Sequence, residues 1–452
     1  MKTENVTQVL ADWIVNVKPD EIPSATRQEG LRTFVNWLGC AVGGATEDTV
    51  NRAVRAIAPF SGPGRAAVLG RAERFDEGNA ALINGISSHV LDYDDTHLKT
   101  IIHPAGPVAS AALAVAEARR ITGRDLLTAT TVGVEVACRI GNCVYPDHYD
   151  RGWHITGTTG VFGAAAAVGW LLRLSAREMA WALGLAASQA SGLREMFGTM
   201  TKSFHPGRAA QNGTMAAFLA QAGFDSSLHA LEAKRGFANV LSTKQDYTEI
   251  VGGLGERWEA DLNSYKPFAC GIVIHPTIDG CCQLREKYGE LVSGARSVVL
   301  YTHPLVLELT GKTSPRTGLE GKFSVFHAAA MALLHGDGSP TAFTDEAVLD
   351  PAVIALRDRV RVETRPDIHE ASVRIVITLE DGTVVEHTVE RAVGSIERPL
   401  DDAALSRKFT HQAALVLGEP AAAQLLELAW QTAEAPDPVA LINAAIPQRV
   451  EA

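Results

Sequence analysis

Between Val108 and Ile121 the chain reads VASAALAVAEARRI, with small and apolar residues almost all the way round a helix. Such a helix has no face to offer water, so it must be enclosed by other helices. Thr159 to Leu174 repeats that character, and the alanines and glycines of both segments let neighbours approach closely. Up to about residue 266 one helical pattern follows another. Ser175 and Glu178 have the spacing of a capping box opening a helix toward Leu185, and Asp225 reads as the cap of another helix running to Leu241.

The pattern changes between about residues 295 and 391. Arg296 to Tyr301 is rich in valine, and Ala371 to Leu379 alternates Val373, Ile375, Ile377 and Leu379 with mostly polar partners. Asp381-Gly382 and a second alternating run, Thr383 to Val389, complete a β-hairpin. Phe323 to Leu334 between these strands is helical in pattern, and helix resumes after Pro399. The expected fold is therefore mainly α with an α+β second domain. Residues 1–266 form the first part of a large helical domain, 267–396 a smaller α+β lid, and 397–452 a return to the helical domain.

A length of 452 residues and 46% hydrophobic residues suit at least two packed cores. The formal net charge of −11 repels phosphate backbones and anionic lipid, so neither nucleic acid nor membrane is expected as a partner. The start of the chain, Met1 to Asn5, lacks a signal-peptide pattern, and no apolar run is long enough to span a bilayer, which points to the cytoplasm. Six dispersed cysteines, Cys40, Cys138, Cys143, Cys270, Cys281 and Cys282, show no zinc spacing and read as reduced, buried and inert. P-loop, dinucleotide and nucleophile-elbow patterns each lack an obligatory glycine.

Four polar islands interrupt the apolar sequence. The densest, His89 to His103, holds three carboxylates and three imidazoles in fifteen residues. Beside a buried helix these groups cost desolvation energy unless they pair with each other, a metal or a ligand. A solvated turn is a competing reading, and a metal site has no HxxxH or HExxH spacing to support it. The second island is Gly152 to Gly160, a turn into a buried helix. The third is Thr199 to Arg208, where Lys202, His205 and Arg208 would face the positive end of a helix. The fourth runs from Tyr265 to His275-Pro276 at the junction of the two parts. Together they suit general acid–base chemistry on a small polycarboxylate.

The blocks LDYDDTHLKTIIHPAG, GWHITGTTGVFGAAAA, GTMTKSFHPGRAAQNG, YKPFACGIVIHPTIDG and GLEGKFS resemble, in order, signature blocks of the MmgE/PrpD family. That family includes 2-methylcitrate dehydratase, cis-aconitate decarboxylase and iminodisuccinate epimerase. The resemblance implies a helical domain with an α+β lid, a homodimer, and no metal or organic cofactor. It carries catalytic positions onto Asp92, His103, His154, Lys202 and His275, and a substrate-binding position onto Thr96; Lys266 and Arg208 are added as substrate-binding candidates. His97, Lys99 and Ser203 depart from the family's pattern. The leading expectation is a hydro-lyase dehydrating a 2-methylcitrate-like acid. In it His103 or His154 is the base, Asp92 orients an imidazole, Lys202 and Arg208 stabilise an enediolate, and His275 protonates the departing hydroxyl. An epimerase or a decarboxylase is the alternative, and outside enzymes a silent carboxylate-binding or scaffold protein.

Overall fold

The structure is a computed structural model that describes residues 5–447. Its helical part is built around α1 (Ser24–Gly43), α2 (Glu77–Val90), α3 (Ala105–Arg119), α4 (Gly123–Val144), α5 (Ile155–Leu171), α6 (Ala176–Ala187) and α7 (Met200–Gln221). α5 is buried along its whole length and α3 along most of it, as their all-round apolar sequences require. α5 begins a turn before Thr159 and ends at Leu171. Glycine permits the tightest crossings: a Cβ on Gly213 of α7 would sit 2.5 Å from Ala164 Cβ and 2.7 Å from Val161 O on α5. The Ser175–Glu178 capping box is present and opens α6.

The helix expected from Asp225 is not formed. Residues 225–236 run as turns and irregular chain, and only Phe237–Leu241 is helical. Gly223, at φ 84°, ends the preceding helix, and Gly236 interrupts any longer one. The third polar island does not precede a helix. It occupies the first turns of α7, which Thr199 caps through its hydroxyl.

Beyond residue 266 lie α8 (His275–Tyr288), α9 (Val325–His335) and a four-stranded sheet. Two short strands, β1 (Asp95–His97) and β2 (Asn263–Tyr265), pair antiparallel with Asp95 opposite Tyr265. The sheet contains β3 (Ser297–Thr302), β4 (Val360–Thr364), β5 (Val373–Thr378) and β6 (Val384–Val389) in the order β4-β3-β5-β6. β3 is parallel to β4 and antiparallel to β5, and β5 and β6 form the expected hairpin. β4 was not expected, because Arg361 and Glu363 interrupt its apolar character. Val373, Ile375 and Ile377 of β5 are buried, while Arg374 between them is exposed. α8 rests on this face, where a Cβ on Gly280 would come within 2.7 Å of Ile375 Cδ1.

After the sheet the chain returns to the first helices through α10 (Asp402–Leu417), which packs on α1. Its Lys408 is buried, and the ammonium donates to Tyr93 O at 2.6 Å and to Asn36 Oδ1 at 2.7 Å. All six cysteines are free; five are buried, but Cys282 is half-buried and departs from the expectation. No helix among the described residues is long and apolar enough to cross a membrane.

Candidate active site

The β1–β2 ladder brings the first and fourth polar islands together. It sets Lys266, one residue past β2, against the loop that follows α2. Lys266 Nζ donates to Asp92 Oδ1 at 2.6 Å, to Asp92 O at 3.1 Å and to Cys270 O at 3.0 Å. Lys202 enters from the first turn of α7 and donates to the same Asp92 Oδ1 at 3.0 Å. Asp92 holds this position with a left-handed backbone, φ 51°, uncommon for a residue with a side chain. Burial would raise its carboxyl, but the two ammonium groups outweigh burial and hold it well below the usual carboxylate range.

The carboxylate that binds an imidazole is Asp94. Its Oδ2 lies 2.8 Å from His89 Nδ1, and His89 Nε2 lies 3.0 Å from Lys202 Nζ. An ammonium can only donate, so His89 Nε2 is the acceptor and the ring proton sits on Nδ1, facing Asp94. The expectation that Asp92 orients an imidazole is thus corrected: Asp92 binds two lysines. His103 Nδ1 lies 2.7 Å from Asp95 O and 3.3 Å from Thr96 Oγ1. A carbonyl only accepts, so His103 carries its proton on Nδ1 and its Nε2 is a bare lone pair. Thr156 Oγ1 accepts from the His103 backbone N–H at 3.1 Å and ties the His103 backbone to the start of α5.

His154 precedes α5 and is tied by its N–H to Gly192 O at 3.0 Å. Its Nδ1 lies 2.8 Å from His205 Nδ1 on α7. Burial, then neighbouring lysine and histidine charges, hold His154 well below an ordinary imidazole. Burial likewise dominates for His103, with Asp94 opposing it. Both rings are therefore neutral at pH 7.

Asp92, His103, His154, Lys202 and Lys266 line one side of a cavity of about 40 Å³. Ile101, Phe197, Ile272, Val273, Leu309 and Phe323 supply the apolar side. Lys202 Nζ also lies 5.4 Å from the Phe197 ring centre and 5.5 Å from that of Phe323.

Three candidates stand elsewhere. Thr96 is buried behind His103 and touches its Nδ1. His275, first residue of α8, is buried edge-on to Phe268 and does not line the cavity; its Nε2 has no hydrogen-bond partner. Burial, then Lys266, lowers its imidazole to about 3. Arg208 is exposed and bonds Gln211 on the outer face of α7, so it is not brought to the cavity. The departures at His97 and Lys99 also turn away. His97 is buried against Glu259 and Thr100, and Lys99 lies 3.5 Å from Glu249.

His89, Asp94 and the phenylalanine wall were not singled out from the sequence, and His205 was noted in the third island but not as a catalytic or binding candidate. His89 and Asp94 belong to the dense first island, but His89's partner Lys202 lies 113 residues away.

His89, Asp92, Asp94 and His103 offer possible metal-ligand atoms within 4.8 Å of one another. A cation there would compete with ammonium groups already bound to Asp92 Oδ1 and His89 Nε2. The donor set suits two fixed positive charges better than a metal.

Residues 8–250 match the MmgE/PrpD N-terminal domain and residues 268–432 the MmgE/PrpD C-terminal domain. The chain belongs to the MmgE/PrpD family. Within it the chain is 27% identical to a cis-aconitate decarboxylase of Aspergillus terreus (strain NIH 2624 / FGSC A1156), over 94% of this chain and 92% of that protein. It is also 27% identical to a cis-aconitate decarboxylase of Mus musculus, over 92% and 88%. A mitochondrial 2-methylcitrate dehydratase of Yarrowia lipolytica is 24% identical over 85% and 78%. Lys266 lies in the short segment between the two matched domains.

Proposed function

We propose that this MmgE/PrpD protein is a lyase acting beside a carboxylate of a small di- or tricarboxylic acid, with decarboxylation of a cis-aconitate-like acid as its reaction. The observation that carries this reading is the division of the cavity: two lysines sharing Asp92 on one side, phenylalanine and aliphatic side chains on the other. Lys202 and Lys266 hold the carboxylates that stay. A carboxylate facing the apolar wall is stripped of water, which favours its loss as carbon dioxide. The bond pair left behind spreads toward the carboxylate on the lysines, whose charge it meets without reorganisation. A histidine then returns a proton to carbon. His103, with its proton facing Asp95 O, presents a bare Nε2 and suits a base. His154, the other histidine lining the cavity, has His205 Nδ1 as its Nδ1 partner, a group that can be donor or acceptor, and so suits the acid.

Dehydration of a 2-methylcitrate-like acid is the second reading, favoured by the Yarrowia lipolytica relative and by the same base. In that reading His103 would take the proton and His154, not His275, would serve the leaving hydroxyl, since His275 does not line the cavity. We include in the proposal a homodimer, supported by the exposed Met200, Phe204 and Met215 along one face of α7. The proposal also includes independence of metal and organic cofactors.

The purified protein is offered cis-aconitate, citrate and 2-methylcitrate with and without EDTA. Carbon dioxide release, alkene absorbance and solvent deuterium uptake are followed. Release of carbon dioxide from cis-aconitate, undiminished by EDTA, is expected. New alkene absorbance from 2-methylcitrate without carbon dioxide would move the assignment to dehydration, and silence in every channel would remove both. A monomer by light scattering would remove the dimer.

A further inference from the structure

We infer that His205 is a positioning residue that switches His154 between proton donor and proton acceptor. The inference rests on the proposed proton transfer by His154, and it begins from one distance. His154 Nδ1 and His205 Nδ1 are 2.8 Å apart, a separation at which one nitrogen must carry hydrogen and the other must be bare. Two arrangements of equal charge satisfy it. With the shared proton on His154 Nδ1, His154 Nε2 is a lone pair and acts as base. With the proton on His205 Nδ1, His154 Nε2 carries hydrogen and acts as acid. His89 and His103 have no such freedom, because Asp94 and the Asp95 carbonyl fix their protons.

The contact is built into the packing. A Cβ on Gly157 would lie 3.2 Å from His205 Cβ, and one on Gly192 would lie 3.2 Å from His205 Cγ, so both glycines make room for the ring. Lys202, His205, His89 and His103 are the groups that act most on His154, and the Asp92 carboxylate on the same cavity is already paired with two ammonium groups. A cationic His154 is therefore disfavoured, and a switch that keeps both rings neutral fits these surroundings. His205 retains 7% of its surface in contact with solvent against 1% for His154, which gives the pair an outer end.

As carbon dioxide departs, the broken bond's electron pair stays on the substrate, and the Nε2 proton of His154 moves to carbon. The Nδ1 proton of His205 crosses to His154 Nδ1, and His205 Nε2 takes a proton from solvent. After product leaves, water returns a proton to His154 Nε2, the shared proton moves back to His205 Nδ1, and His205 gives up its Nε2 proton. One proton is consumed per carbon dioxide released.

The test is a proton inventory in mixed light and heavy water on the wild-type enzyme, with cis-aconitate as the probe. Two protons moving together give a bowed plot. His205→Asn keeps a hydrogen-bonding group beside His154 Nδ1 but cannot pass a proton; it should lower kcat by about 100-fold with KM unchanged and give a straight plot. A straight wild-type plot, or a His205→Asn variant with wild-type kcat, overturns the assignment. The ¹⁵N spectrum of the resting wild-type enzyme adds a readout free of both turnover and mutation. The His154 Nδ1 signal should lie between the protonated and bare limits, and a signal at either limit also overturns the switch. If that signal is intermediate but no acid is turned over, the functional reading falls and the tautomer exchange stands.

Discussion

The arrangement of charge around Asp92 makes it the residue whose loss should be felt most. Its Oδ1 alone receives two ammonium groups inside the protein, so Asp92→Asn leaves both lysines without their counter-charge. A loss of about 3–5 kcal/mol in urea-denaturation stability is expected, the scale found when one partner of a buried ion pair is removed. Lys202→Met leaves Asp92 paired with Lys266, and should chiefly affect chemistry, with kcat/KM falling about 100-fold or more if the ammonium stabilises developing charge. A Lys202→Met enzyme with full turnover would remove the lysine from the mechanism. At this scale much of the site was legible. The need of polar side chains for a partner in otherwise apolar helical sequence marked the islands, and the family resemblance then pointed to Asp92, His103, His154 and Lys202 within them, with Lys266 added as a binding candidate. Arg208 was misjudged for want of its helical phase. Lys202 and His205, three apart, face inward; Phe204, Arg208, Gln211 and Met215, spaced by three and four, follow the outer face of the same helix. His275 was reached by the same resemblance, and no periodicity in the sequence tells whether the first residue of a helix meets a cavity or lies behind its wall.

Among the elements, α5 and α7 determine how accurately the two histidines and Lys202 meet, because His154 precedes one and Lys202 and His205 ride on the other. Their crossing depends on Gly213. Its replacement by alanine would press a methyl group into Ala164 Cβ and the backbone at Val161 and Ala165, none of which is a flexible chain end. Gly213→Ala should cost about 1–3 kcal/mol of stability and, by spreading the helices, also weaken the His154–His205 contact. Both effects are measured together by a denaturation curve and the ¹⁵N spectrum of the pair. An alanine variant of unchanged Tm would show that the crossing has slack. The helices with continuous small-residue or apolar patterns were legible, as was the hairpin, whose alternation matches a sheet with one covered face. β4 and the stretch 225–236 were not. The former is paired at a sheet edge despite its charged positions, and the latter has the composition of a helix but lies between glycines that end one.

For the molecule as a whole, buried imidazoles govern the response to acid. Burial lowers His89, His103, His154 and His275 and also brings His148, His205 and His327 down to about 4. The folded chain keeps these rings neutral while the unfolded chain protonates them near pH 6.5, so the unfolded state binds more protons as pH falls from about 6.5 to 4. Stability should fall across that window. Glu29, Asp95, Glu135 and Asp261, raised chiefly by burial, act in the opposite direction but are fewer. A Tm that declines steadily from pH 6.5 to 4.5 is expected by calorimetry, and a flat profile would show that the histidines are solvated. The link from Lys408 to the Tyr93 carbonyl has its own consequence for how the protein matures. Tyr93 sits next to Asp92, yet the donor that secures its backbone is contributed by a helix that follows every cavity-lining residue in the chain. The loop beside Asp92 should therefore gain its final support only when a part of the chain synthesised after every cavity-lining residue has folded onto it.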